Sequence, residues 1–311
     1  MSSMPTLGRA LSGRPAGPAV ARHGDGARPP APQSAAHPRR HALGLLAAVA
    51  LGVAVTVLVT TIPSLRYGPQ RPVLHAQIAT AAALVALLVA LLAAGRYRRD
   101  ALVADVLLAL SFGVLGVSNL VTSAIQGATG ESPRGALAWM PVSGRLVAAA
   151  LLAVAALSAT RAVRRTQHTA RLLAFASAAA VALLALGLAA LDPQLPPAIA
   201  VGAAANGVPF GPFAGSAASI ALKGACLALV AVAAIGFAAR ARRTPDGLSV
   251  PLSWGTALLA FAWLNSLLVP SLYVNWFYAG DVLGLVAYAL LAGGAVAEIR
   301  AVQRDRARLA A

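Results

Sequence analysis

From residue 42 onwards the chain is a series of long apolar runs separated by short polar breaks, at about 42–64, 73–95, 101–124, 137–160, 172–191, 218–239, 249–270 and 278–298. Each run has roughly 20 residues or more, and at a rise of about 1.5 Å per residue that crosses a hydrocarbon core of about 30 Å. The runs lack the alternation of barrel strands. A backbone in lipid must satisfy its own hydrogen bonds, so the pattern predicts helices. The expected fold is all-α, a polytopic integral membrane bundle of eight transmembrane helices, plus or minus one. The third run is the weakest, because Asp105, Ser111, Ser118 and Asn119 interrupt it.

Residues 1–40 are rich in Pro, Gly, Ser, Ala and Arg and have no apolar period. Such a stretch buries too little surface to offset the entropy of ordering, and it reads as a disordered tail. It does not read as a secretory signal peptide, since the first apolar run begins only at Ala42 and is too long for an h-region. The predicted organisation is a tail over 1–40, a transmembrane domain over 41–298 and a cytoplasmic helical stub over 299–311.

Composition sharpens this picture. The 311 residues are 59% hydrophobic and 11% charged, with a mean hydropathy of +0.76. Soluble domains carry about 25% charged residues, so this chain has too few polar side chains to cover a water-facing surface. Its one cysteine, Cys226, excludes a disulfide framework and any CxxC site.

The formal charge is +16, and its distribution sets the orientation. Twenty arginines fall in the tail, in the second-to-third, fourth-to-fifth and sixth-to-seventh breaks, and after the last run. The opposite breaks hold three, Arg66, Arg71 and Arg134, while Arg145 and Lys223 lie within predicted spans. By the positive-inside rule both termini face the cytoplasm, in a multi-pass protein of the plasma membrane. The same dispersal argues against a nucleic-acid partner, because no single basic and aromatic surface forms. The bilayer is the partner the sequence demands, with attraction of the tail to anionic lipid as a secondary effect.

Reactive groups are scarce. His23, His37 and His41 lie in the tail or at its edge, and His168 in a cytoplasmic break. No histidine pair stands at i, i+4 within a span, so neither metal nor haem is expected. Phosphate-loop, HExxH and nucleophile-elbow patterns are absent from the sequence. Ser111, Ser118 and Ser177 are expected to bond back to their own helices, and Gly293–Gly294 to be a helix-packing position. By itself the chain is expected to have no cofactor and no enzymatic activity.

Charges inside spans are costly and therefore informative. With the orientation above, Arg145, Lys223 and Asp281 follow the starts of the fourth, sixth and eighth helices. Asn119 and Asn265 lie near the outward ends of the third and seventh, and His75 opens the second. All fall in the outer half of the membrane, whereas Asp105 lies near the inner face beside Arg96, Arg98 and Arg99. Three readings stand. Arg145 and Lys223 snorkel outward while the asparagines hold helices together; or these groups line an outward-facing polar pocket, with Asp281 pairing Arg145 or Lys223; or they belong to an ion or proton path. Tyr273, Trp276, Phe277 and Tyr278 cluster at the outer end between the last two helices, with Trp139 in the corresponding place before the fourth. Interfacial anchoring accounts for them, and a ligand mouth at Tyr273 and Trp276 is compatible with it. The stretch 192–217 is the longest outer loop, and its Pro and Gly content suggests an irregular cap.

A repeat is visible. The third helix ends in Ser118–Asn119–Leu120–Val121, and Trp139 then precedes Gly144–Arg145; the seventh ends in Leu264–Asn265–Ser266–Leu267, and Trp276 then precedes Gly280–Asp281. Two halves of four helices share orientation, which makes this a parallel 4 + 4 repeat.

The run 261–300, with Leu264–Asn265, Pro270–Ser271–Leu272–Tyr273, Trp276, Tyr278, Gly280–Asp281 and Glu298–Ile299–Arg300, resembles the last two helices of the multi-span membrane input domains of actinobacterial sensor histidine kinases. The segment from His75 to Arg96 and the Ser118–Asn119–Leu120 piece are similar to that family too. The chain departs from it at Trp263, where a basic residue is expected, and at Asn275, where an acidic one is usual. The resemblance implies a last span that continues into a cytoplasmic helix leading to a kinase core. No histidine follows His168, so the expectation is either a fragment of a longer kinase or a stand-alone relative. Ile299, Val302 and Leu309 fall at a/d-like spacing, interrupted by Arg306, which suggests a homodimer through the C-terminal helix; a solvated stub is the alternative. The function expected first is a membrane sensory domain that relays an outer-side or intramembrane cue to a cytoplasmic kinase module. A small-solute transporter or permease on the 4 + 4 repeat is the second reading, and a structural membrane protein the third.

Overall fold

The computed structural model describes residues 36–62, 72–100, 102–129, 135–158, 169–196, 198, 216–243, 248–268 and 279–310. Among the described residues stand eight α-helices: α1 (Ala36–Thr61), α2 (Pro72–Asp100), α3 (Val103–Thr129), α4 (Ala136–Leu157), α5 (Thr169–Leu191), α6 (Ala217–Arg243), α7 (Ser249–Leu268) and α8 (Ala279–Ala310). A 3-10 turn at Asp192–Gln194 follows α5. All eight are long and apolar enough to cross a membrane, as the run lengths predict. This is a helical membrane bundle.

Several helices outlast their apolar runs; α3 continues past 124 to Thr129 at the end away from the arginines, and three others do so at the opposite end. Helices α2, α6 and α8 continue past their runs to Asp100, Arg243 and Ala310, all at the arginine-rich end. Arginines in a last turn offset the partial negative charge of the free carbonyls, so the helix persists where hydrophobicity stops. Nothing breaks α8 at 298. Helix α1 likewise begins at Ala36, within the stretch expected to be disordered.

Large apolar side chains face outward, as they do where lipid is the solvent: Phe175 is 74% exposed, Ile235 71% and Leu183 69%. Peripheral and central helices differ accordingly. Only 17% of the α1 span and 18% of the α5 span is buried, against 61% of α3. The weak hydropathy of the third run therefore has a structural reason, since α3 faces protein on most sides and its polar groups find partners there. The Ser111 hydroxyl donates to the carbonyl of Ala148 on α4 at 2.7 Å, not to its own helix as expected. Ser118 and Ser177 do bond back, to Leu115 O at 3.2 Å and Leu173 O at 2.9 Å.

The principal interfaces obey a pseudo-two-fold rule. Helix α2 packs on α3 as α6 does on α7; α3 on α4 as α7 on α8; α4 on α6 as α8 on α2; and α1 on α7 as α5 on α3. The parallel repeat read from sequence thus has a counterpart in the packing. Close approach is built from small residues, as expected where lipid removes most of the hydrophobic drive between helices. A Cβ at Gly144 would lie 2.7 Å from Ser118 Oγ, and one at Gly280 would lie 3.4 Å from Asn265 Cβ. The two glycines hold equivalent places in the two halves, with neighbours one position apart in the repeat, Ser118 in one and Asn265 in the other.

Two groups at the end opposite the arginines are tied together. The Trp139 indole, expected to anchor at the interface, is 3% exposed and donates to Pro196 O at 2.9 Å. It is an interior ring, because the chain after α5 covers it. Beside it, the Asp192 carboxylate accepts from the Ala136 backbone N–H at the start of α4, a position that also favours negative charge. Gly135 precedes it with φ 54°, and a Cβ there would run into the Asp192 carboxylate. Gly135→Ala is expected to lose about 1–3 kcal/mol of stability, and Asp192→Ala about 1 kcal/mol through the lost cap. Thermal unfolding in detergent measures both, and a Gly135→Ala midpoint equal to the parent's would refute the strain.

Candidate functional site

Seven residues were singled out from the sequence as a pocket, and the structure brings three of them into one cavity. Asn119 from α3, Arg145 from α4 and Asp281 from α8 line a cavity of about 90 Å³ together with Trp263, Ser266 and Tyr288. All three are half-buried. The local reason is the packing just described. Gly144 and Gly280 each allow a close helix approach, and the residue that follows each glycine, Arg145 or Asp281, is thereby carried to the centre of the bundle. The two halves thus supply opposite charges from equivalent positions.

Lys223 on α6 is buried, at 7% exposure. It lines a second, much smaller cavity with Arg145, Cys226, Trp263 and Ser266. Arg145, Trp263 and Ser266 border both spaces and form the wall between them. Among these lining residues there are two cations and one carboxylate, so the pair of cavities favours an anion.

Asn265 serves another purpose. Its Nδ2 donates to Thr56 Oγ1 on α1 at 2.9 Å and to Phe261 O at 2.8 Å, and the residue is 3% exposed. It stands behind Gly280 and binds α1 to α7, which is the helix-holding role expected for asparagine in lipid. Tyr273 and Trp276 lie outside the described residues.

Sequence reasoning passed over Trp263, Ser266 and Tyr288. Tyr288 follows Asp281 by seven residues, two helical turns on the same face, and that spacing was the available signal. Ser266 neighbours Asn265, and its hydroxyl is tied to Trp263 O at 2.8 Å. In the sequence Trp263 stands out only as a departure from the resembled family.

A second polar centre sits at the arginine-rich end. The Arg96 guanidinium on α2 lies 3.3 Å from Asp105 Oδ1 on α3, through Nε. Its Nη1 donates to both carboxylate oxygens of Glu298 on α8, at 2.7 and 2.8 Å. Arg96 is 8% exposed and Asp105 1%. The proximity of Asp105 to Arg96 was legible in the sequence. Glu298 was not, because it arrives from 202 residues beyond Arg96.

Among the described residues no group of three or more His, Cys, Asp and Glu is placed to hold a metal. No family model matches the chain, and neither the curated proteins nor the solved structures yield a match.

Proposed function

We propose that this bundle is a membrane sensory domain. A cue at the outer polar pocket biases helix packing, and α8 carries the shift to the arginine-rich end. The observation that supports this most is that one helix serves both centres. Asp281 near the start of α8 lines the pocket, and Glu298 on the same helix holds Arg96. Seventeen residues separate them, about 26 Å of unbroken helix. Helix α8 then runs on to Ala310, where a partner can read its position. The positive-inside rule makes that end cytoplasmic, and the resemblance noted above suggests a histidine-kinase module as the reader, on this chain or another. Transmission requires that the cue favour one of two packings over the other. A coupling of about 1–3 kcal/mol is the usual scale.

The experiment is a distance measurement. Nitroxides are placed at the exposed Arg243 and Gln303, in a background with Cys226 replaced by serine, in the reconstituted protein. Asp281→Ala and Arg145→Ala are each expected to shift the distance distribution between the ends of α6 and α8, with insertion unaffected. An unchanged distribution in both variants would sink the reading.

One observation favours a permease instead: the pseudo-two-fold packing, with the pocket lined from both halves, is how parallel-repeat transporters build a solute site. Against it, a cavity of about 90 Å³ is well short of the roughly 300–1,000 Å³ of small-molecule sites. Saturable uptake of a small anion into proteoliposomes, lost in Arg145→Ala, would establish transport.

A further inference from the structure

The outer pocket is exceeded in volume by a second space. It is a groove of about 480 Å³ at the arginine-rich end, between α2, the start of α7 and α8. Its deeper part is apolar: Leu91 and Leu92 on α2 and Ala295 on α8 line it, and Val302 continues the wall. Leu91 is 65% exposed and belongs to a segment long and apolar enough to span the bilayer, so this part opens towards hydrocarbon. Arg98 on α2 and Arg306 on α8 also line the groove, and both are exposed. The two helices run in the same direction from the pocket end. Arg98 therefore stands seven residues beyond Leu91, about 10 Å towards water. Arg306 lies eight residues beyond Glu298, which puts its backbone about 9 Å further out than that of Arg98, counting from the level of the Arg96–Glu298 pair. Arg96, between these levels, is engaged by Glu298 and Asp105, which leaves Arg98 and Arg306 as the guanidiniums at the rim.

We propose that this groove binds an anionic phospholipid of the leaflet at the arginine-rich end. One acyl chain lies against Leu91, Leu92 and Ala295, and the headgroup phosphate sits between Arg98 and Arg306. The commitment to a lipid follows from the order of the lining. A free phosphate has no use for the leucines, and a soluble peptide does not reach the depth of Leu91. An amphiphile matches both levels at once, and basic pockets between transmembrane helices are suited to such headgroups. The volume lies within the range of small-molecule sites. Gly95 adds a further sign. It lines the groove, and a Cβ placed on it meets nothing within 4 Å, so the space beside it is open. The groove borders the Arg96–Glu298 pair of the sensory reading, but the proposal does not depend on that reading, since lipid retention is measured without any signalling output.

The test uses the purified full chain and native mass spectrometry, with phosphatidylglycerol and phosphatidylcholine supplied in equal amounts. The parent is expected to retain phosphatidylglycerol preferentially. Arg98→Gln/Arg306→Gln is expected to lower that preference about tenfold, since each basic residue near the headgroup level contributes several-fold. Gly95→Leu keeps both arginines but fills the groove, and it is expected to lose the bound lipid. Arg242→Gln/Arg243→Gln, at the same end on α6 but outside the groove, is expected to leave the preference unchanged. Equal retention by the parent and both groove variants would overturn the proposal. So would an equal drop in the α6 variant, which would mean a diffuse surface charge, or displacement of the lipid by inorganic phosphate, which would mean a free-anion site.

Discussion

Replacing Arg96 by methionine is expected to destabilise the bundle by about 3–5 kcal/mol, the scale for removing one partner of a buried ion pair. The reason lies in what remains. Asp105 is 1% exposed, and without the guanidinium 3.3 Å away its charge is left in a region that cannot solvate it. The interaction itself contributes less than this figure, because bringing both charges out of water costs nearly as much as their attraction returns. The double variant Arg96→Met/Asp105→Leu is accordingly expected to recover most of the loss. Glu298→Gln is expected to cost less than Arg96→Met, since the Glu298 side chain is 17% exposed and water reaches it. Cys226, the single thiol and a buried one, reports unfolding through alkylation as temperature rises. A double variant less stable than Arg96→Met would show that the network stabilises in its own right, contrary to this account.

The eight spans were legible because length and hydrophobicity decide them, and neither depends on how the helices are arranged. The position of each polar residue along its span was legible for the same reason: counting 1.5 Å per residue from a helix end needs no tertiary information. Asn119, Arg145 and Asp281 were grouped by depth, and they do share a cavity. Rotation about each helix axis was not legible. In helices that are apolar all round, periodicity gives little sign of which side faces protein. Asn265 and Asp281 sit at similar depth, yet one binds α1 to α7 and the other lines the pocket. Trp139 has the composition and depth of an interfacial anchor, but its indole is turned inward to Pro196. The repeat lies between these cases. Its motif is short and unevenly spaced in sequence, while the packing expresses it through pairs of helices, because interfaces follow from the order and direction of spans more than from any one residue.

Adjacent glycines provide the strictest test of that missing rotation, and Gly293→Ala and Gly294→Ala are expected to change stability in opposite directions. Both were read as one packing position. In the structure a Cβ at Gly293 meets nothing within 4 Å, whereas one at Gly294 would overlap Cβ and Cγ of Pro251 on α7. Consecutive residues point about 100° apart around a helix, so only one of the pair can face α7. The proline ring is rigid and sits near the start of α7, so it has no rotamer to move into. The helices would have to separate by on the order of 1 Å to restore ordinary carbon–carbon contact. Overpacking of that kind costs about 1–3 kcal/mol and occasionally more. Separation of α7 from α8 would also open the contact of Gly255 with Leu291, where the Cβ position lies only 2.7 Å from the leucine. At Gly293 the substitution adds a methyl in open space and removes the backbone freedom of glycine, a gain of up to about 1 kcal/mol. Unfolding midpoints of the two variants, measured side by side in one detergent, decide the matter. Equal shifts would mean that α8 is rotated from the orientation described, and the assignment of Asp281 to the pocket would fall with it.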